Sequence, residues 1–462
     1  MSFISLQFAI FLAITFVIYY VPLLARFQVA ILVVASFVFY GSDQWQLIPL
    51  LLFAMLLTCM AMLKAIKGSK IALVTGIAGN LALLAFFKYK FLVIHPGYEA
   101  HTGVAVVDFL LKLPLPIGIS FFIFHNISLI VDYYKEAHKR PVPTFLEVVL
   151  YILFFPQLVS GPITRSISFL PQIKFKKLSE IPIKQTAKLL ILGYFFKLFV
   201  ANNLAQVTAK MSPDLMGLLG GGDKVLLMFM YSAQIYADFF GYSTIALGLA
   251  LLFGYRLPVN FNVPYVAASF SDFWTRWHIS LSRWLRTYLY IPLGGNRVGP
   301  VRTYMNLLIV MGLGGLWHGA AISYLLWGLL HGLFLVLERG ASDLLTKFRI
   351  LPFLKNKTMT LAYSCFVFIS ISFAWIFFRF EHFPDASRYL QEILKAPLHF
   401  TQFSEFYTLS YIYASPVILQ HFLSRQVDLK NWPAVEMLVY GVLLWLAIVE
   451  RGAETQFIYF RF

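Results

Sequence analysis

The sequence predicts an all-helical protein that crosses a membrane many times. Of 462 residues, 60% are hydrophobic and 13% charged, whereas soluble domains carry roughly 25% charged residues. The mean hydropathy is +0.75, more apolar surface than a soluble fold of this length hides beneath the polar skin it needs. The apolar runs are also long and unbroken. In lipid such runs satisfy their backbone hydrogen bonds as helices, whereas barrel strands would alternate in character every second residue.

A span needs ~20 apolar residues to cross the hydrocarbon. Runs of that kind fall near 3–21, 28–41, 46–63, 71–95, 115–133, 187–204, 225–253, 359–380, 405–423 and 434–450. The first lacks the basic start and cleavage site of a signal peptide and reads as a retained span. Residues 144–162 read as a segment that dips in and returns. Residues 303–338 form two apolar legs that either cross or re-enter. With no linker and no repeat of fixed period, 1–462 reads as one domain. Gly217–Gly222 reads as a flexible connector.

The net charge of +16 is not read as a nucleic-acid signature. Basic residues of membrane proteins gather on the cytoplasmic side. Alternating spans put 26 of the 37 Lys and Arg on the face that holds Arg26 and the 64–70 loop, with 7 opposite and four inside spans. Both chain ends then face outward. The two cysteines, Cys59 and Cys365, lie in apolar stretches. They offer no disulfide framework and no cysteine-based zinc site, and the motifs imply no metal. Lys88 and Lys90 read as anchors that snorkel to water.

Ionisable groups at membrane depth are costly and raise a functional question wherever they occur. In Ser271–Arg302, helical spacing places Trp277, Leu281, Trp284 and Tyr288 on one face, with Arg276, Arg283 and Arg286 on others. That pattern predicts one amphipathic helix in the cytoplasmic leaflet. Its arginines suit either lipid headgroups or the phosphates of a charged donor. His278 lies in this stretch. His318 ends the first leg of 303–338, roughly 20 Å of helix beyond Met305, which places it deep in the bilayer. Gly312, Gly314, Gly315 and Gly319 let neighbouring helices come close. His331 suits a packing role as well as a functional one. In QIYADFFGYS (234–243), Asp238 is expected to pair with a cation or a helix end.

The segments LPIGISFFIFHNISLIVDYY (115–134), FFPQLVSGPITR (154–165), QIYADFFGYS (234–243), FWTRWHISLSRWLRTYLYIPLGGNR (273–297), GGLWHGAAISYLLWGLLHG (314–332) and FIYFRF (457–462) together resemble the membrane-bound O-acyltransferase family, in its alginate O-acetyltransferase-like bacterial branch. The resemblance implies a ring of about 10–12 tilted helices, with re-entrant and amphipathic pieces, around a central tunnel. It implies that His318 matches the family's catalytic histidine and His278 its second signature histidine. Asp238, Tyr242 and Trp317 would support them. The chain departs from the family pattern at Phe240 and Thr244, which puts a charged role at position 244 in doubt.

No Gly-x-Ser-x-Gly elbow is present, so a covalent serine route has no support. The simpler expectation is direct attack of an acceptor hydroxyl on a thioester. His318 would be the general base and His278 would orient the carbonyl. Arg283, Arg286 and Arg297 would meet donor phosphates. Acetyl-CoA is the expected donor, a substrate and not a bound cofactor. The expected acceptor is an extracytoplasmic polysaccharide such as alginate, peptidoglycan or cellulose, reached directly or through a periplasmic esterase-like transferase docked on 381–404. The expected setting is the bacterial inner membrane. The alternatives are a teichoic-acid D-alanyl transferase and a polysaccharide or lipid transporter, and the lack of paired halves weighs against the transporter.

Overall fold

A computed structural model gives the fold. It describes residues 1–93, 105–136, 141–159, 161–347, 356–402, 404–423, 431–455 and 457. Most of FIYFRF, Ser160 of the second motif and parts of three basic loops lie outside the described residues. Among the described residues every regular element is a helix. Two compact units emerge: Met1–Leu189 with Ile245–Pro258, and Leu190–Thr244 with Val259–Phe462.

In the first unit, Ser5 caps helix α1 (Leu6–Tyr20) by accepting from the Phe8 N–H. Helices α2 (Gln28–Gln44), α3 (Ile48–Ile66), α4 (Lys70–Val93), α5 (Ala105–Lys112) and α6 (Ile119–Glu136) follow. Helix α7 (Phe145–Leu153) opens on a capping box between Thr144 and Glu147. It stops where the chain turns at Phe154 before Pro156, a residue that cannot continue a helix. The tyrosines at the end of α1 donate to carbonyls near 252, Tyr19 to Phe253 at 3.2 Å and Tyr20 to Leu252 at 2.8 Å.

Two signature segments meet inside this unit. Helix α6 buries His125, Asn126 and Asp132, which in lipid demand partners. His125 Nε2 accepts from the Thr164 N–H at 3.2 Å. Asp132 accepts from Arg165 and from the Ser166 hydroxyl, each at 3.0 Å. Asn126 donates to Asn80 at 2.7 Å. His125 and Asp132 of the first segment thus bond Thr164 and Arg165 of the second, while Asn126 turns to α4. Lys88 and Lys90 correct the anchor expectation: both are buried. Lys88 donates to the Ser120 hydroxyl at 3.3 Å and Lys90 to the Leu111 carbonyl at 3.2 Å and that of Leu113. A hydroxyl at the start of α6 receives Lys88, and carbonyls at the end of α5 receive Lys90.

The second unit holds the far end of α8 (Ile183–Tyr194), which loosens into a π-helical stretch over Phe195–Ala201 and resumes as Asn202–Thr208. Then come α9 (Gly221–Leu252), α10 (Phe270–Arg276), α11 (Ile279–Leu285), α12 (Pro300–His318), α13 (Ile322–Lys347), α14 (Lys357–Arg379), α15 (Phe383–Lys395), α16 (Ser404–Leu423) and α17 (Pro433–Val449). Among the described residues each of the ten expected spans overlaps a helix, although the helix in 115–133 begins only at Ile119. By length and composition, six stretches can cross a membrane: Pro22–Ile66, Lys70–Lys90, Ile183–Thr208, Gly221–Leu252, Ile322–Thr346 and Lys357–Arg379.

The glycine run before α9 corrects the flexible-connector reading. The N–H groups of Gly221 and Gly222 donate to Pro397 at 3.2 Å and His399 at 3.0 Å. A Cβ on Gly220 would lie 2.2 Å from the His399 carbonyl oxygen. Asp223 completes the joint, accepting from the Gly220 N–H, the Thr401 N–H and hydroxyl, and the Tyr407 hydroxyl. Gly220, Gly221 and Gly222 serve close approach, whereas Gly217 meets nothing within 4 Å, and the same joint holds 396–401, part of the 381–404 segment expected as a docking surface.

Candidate active site

The amphipathic stretch from 271 is not one helix. Helix α10 ends at Arg276, and His278 then takes a left-handed conformation with φ 42° and ψ 54° before α11 begins. Trp277, Leu281 and Trp284 are buried. Trp277 lies 5.0 Å from Phe261 and 4.9 Å from Trp375, ring centre to ring centre. The face expected at the headgroups therefore packs on protein, because the break at His278 turns the following residues inward. The polar side of α10 is held by an Arg276–Asp272 pair at 2.7 Å. Partial burial pushes the Asp272 carboxyl up, but hydrogen bonds from Arg276 and the Ala268 N–H outweigh it and hold the group below its ordinary value.

Helices α12 and α13 form a tight hairpin. At Gly315 an added Cβ would stand 2.2 Å from the Tyr324 carbonyl oxygen, and at Gly319 one would strike the Tyr324 ring at 2.3 Å. This contact sets the hairpin turn, and His318 is the last residue of α12 before it. The imidazole is 3% exposed. It sits among rings: Trp317 at 4.9 Å, Trp327 at 5.1 Å and Phe378 at 5.2 Å. Trp317 in turn lies 6.2 Å from His278. The two signature histidines thus share one aromatic neighbour.

Two cavities approach this cluster. One, of about 510 Å³, is lined by His318, Trp327 and Trp274 at depth and by Arg283 and Arg286 from α11 and the turn after it. Both arginines are exposed, so the charged end is open and the histidine end closed. A second, of about 560 Å³, is lined by Tyr324, Phe378, Arg379, Gln234 and Asp238. The Phe378 ring, 5.2 Å from His318 and 5.3 Å from Tyr324, borders the histidine from that side.

Among the residues singled out from sequence, His318, Arg283 and Arg286 come together in one cavity. His278 and Trp317 are in the ring cluster but do not line it. Arg297 is exposed and outside it. Asp238 pairs with Lys197 at 2.7 Å, with side chains 6% and 0% exposed. Tyr242 stacks its ring within 5.1 Å of the Lys197 ammonium and 4.4 Å from Phe457. Thr244 spends its hydroxyl on the Phe240 carbonyl. His331 is caged by Phe273, Trp274, Trp327 and Trp375.

Sequence reading placed Lys197 inside a span and Phe457 in the terminal motif but gave neither a role, and it passed over Thr455. The Lys197 ammonium also donates to the Thr455 carbonyl at 3.1 Å and hydroxyl at 3.2 Å, and Phe457 is fully buried. A single lysine inside FFKLF was the available signal.

Comparison with known proteins now bears on this geometry. The sequence pattern of MBOAT, the membrane-bound O-acyltransferase family, matches residues 32–380. The chain belongs to the membrane-bound O-acyltransferase family. It is 35% identical to the "Probable alginate O-acetylase AlgI" of Pseudomonas putida over 376 residues, 79% of this chain and 74% of the relative. It is 35% identical to the peptidoglycan O-acetyltransferase of Helicobacter pylori over 78% of this chain and 72% of the relative. The teichoic acid D-alanyltransferase of Bacillus subtilis is 28% identical over 56% of this chain and 67% of the relative. The chain is therefore a multi-pass membrane O-acyltransferase, and the transporter reading falls. The family pattern ends at 380, just past the end of α14, and so includes His278, His318, Arg283 and Arg286.

Proposed function

We propose that this acyltransferase moves acetyl groups from acetyl-CoA on the cytoplasmic side of a bacterial inner membrane to hydroxyls of an extracytoplasmic polysaccharide. The observation that carries the reading is the single cavity joining exposed Arg283 and Arg286 to buried His318. Guanidinium groups match phosphate oxygens in pairs, so the open end suits a phosphorylated carrier. A small acyl group on a thin thioester arm suits the closed, ring-lined end. Alginate and peptidoglycan stand in the names of two of the relatives cited above, and either, or a partner transferase that relays the group, would reach the cluster by the cavity beside Phe378.

The chemistry is a direct transfer. The acceptor hydroxyl oxygen attacks the thioester carbonyl carbon, and His318 takes the hydroxyl proton as the bond forms. The tetrahedral intermediate then collapses, the carbon–sulfur bond breaks, and the departing thiolate takes the proton from the imidazolium. The products are an ester and a free thiol, with the histidine returned to its neutral form. His278, which does not line the cavity, acts through Trp317 by fixing the ring cluster around His318.

The test of the donor side uses purified protein, radiolabelled acetyl-CoA and a polysaccharide acceptor. In Arg283→Gln and Arg286→Gln, KM for acetyl-CoA is expected to rise about tenfold each, the value of one charged hydrogen bond, with kcat little changed. An unchanged KM in the double variant would place the donor elsewhere. Use of a carrier-protein D-alanyl thioester in place of acetyl-CoA would favour the D-alanyl reading, to which the Bacillus subtilis relative lends its likeness.

A further inference from the structure

Two described residues other than glycine have positive φ, His278 at 42° and Val263 at 41°. A β-branched residue there is a true outlier, and any residue with a Cβ avoids that region. Such strain persists only where surrounding contacts over-determine the backbone, and it concentrates at sites of function. Both strained residues border one short segment, 260–262, and that segment clamps the backbone on each side of His278. Before it, the Asn262 N–H donates to the Arg276 carbonyl at 3.0 Å. After it, the Asn260 carbonyl accepts from the Ile279 N–H at 2.9 Å.

The Asn260 side chain adds a third hold. Its Oδ1 accepts from the Ser280 N–H at 3.3 Å, and its Nδ2 donates to the Ser243 hydroxyl at 2.9 Å. Asn260, Ser243 and Ser280 are all buried. The amide oxygen thus satisfies the Ser280 N–H, one of the first groups of α11 with no intrahelical partner, and the amide nitrogen ties it to α9. On α9, four residues before Ser243, Phe239 sets its ring edge-on to His278 at 4.7 Å and 88°. The imidazole is therefore fixed from two directions, by a backbone that Asn260 holds in a strained state and by a ring on the helix that Asn260 grips.

We propose that Asn260 is a positioning residue for the transfer reaction. Its side chain holds His278 in the left-handed conformation that presents the imidazole to Trp317 and the catalytic cluster. The inference rests on the reading of His278 as part of that cluster. An asparagine serves here because one planar group supplies both an acceptor for α11 and a donor for α9. Aspartate keeps the acceptor and loses the donor, and alanine loses both.

A double-mutant cycle on acetyl transfer separates positioning from plain stability, since coupled residues are non-additive. N260A is expected to lower kcat about tenfold with KM for acetyl-CoA unchanged, and N260D to fall between it and the native protein. In an H278A background, adding N260A is expected to lower kcat no further. Multiplication of the two losses would overturn the positioning role, as would full activity in N260A. Native activity in H278A alone would instead remove the reading on which the role rests. If N260A does not yield folded protein, Ser243→Ala removes only the acceptor of the Nδ2 donor and enters the same cycle with the same expectations.

Discussion

His318→Gln is expected to lower acetyl transfer by about 10²–10⁴-fold, the range of a positioned general base, while the protein still inserts and elutes as the native one does. Glutamine fills similar space among Trp317, Trp327 and Phe378 but cannot take the hydroxyl proton. The effect is expected in kcat, because in the proposed reaction the group acts on the reacting proton while the donor phosphates meet the arginine end of the cavity. The measurement is turnover of radiolabelled acetyl-CoA under saturating donor. A normal rate in H318Q would remove the histidine from the chemistry, whatever its burial.

Lys197→Met is expected to cost about 3–5 kcal/mol of stability, the penalty for stranding a buried partner charge. The pair is 2.7 Å apart with the lysine wholly enclosed, so Asp238 would be left without its counter-charge. The loss should also release Thr455, whose carbonyl and hydroxyl both accept from Lys197. The double variant Lys197→Met, Asp238→Leu is expected to recover much of the loss, since apolar replacement of a whole buried pair is often neutral or better. Thermal unfolding in detergent checks both. A single variant as stable as the native protein would show that the pair is not the anchor of the 450–457 stretch.

The helical class was legible because lipid enforces long, self-satisfied apolar runs, and the six stretches long and apolar enough to cross a membrane fall on apolar runs read from the sequence. The position of His318 at the end of the first hairpin leg was legible from the glycines around it, whereas its role as a base is the proposal made above. The errors came where local pattern and tertiary packing disagree. The spacing of Trp277, Leu281, Trp284 and Tyr288 was read as one helix facing headgroups, but helical periodicity carries no information about a left-handed break at His278. The break is imposed by Asn260 and Asn262, distant in spacing pattern though near in the chain. Gly217–Gly222 was read as slack because glycine permits both freedom and close contact, and only the facing 396–401 backbone decides between them. Lys88 and Lys90 were assigned to water because partners such as the Leu111 carbonyl cannot be seen from a run of apolar letters. Lys197 was visible as an intramembrane charge, but its partner Asp238 lies 41 positions away.

The central claim is that a donor bound at Arg283 and Arg286 delivers its acyl group past His318 toward the opposite face. Proteoliposomes sorted to one orientation test it directly, with radiolabelled acetyl-CoA offered at either face and acceptor polysaccharide at the other. Label is expected on the acceptor only when donor meets the face that carries Arg283 and Arg286. Equal transfer from both faces, or transfer only from the opposite one, would contradict the account.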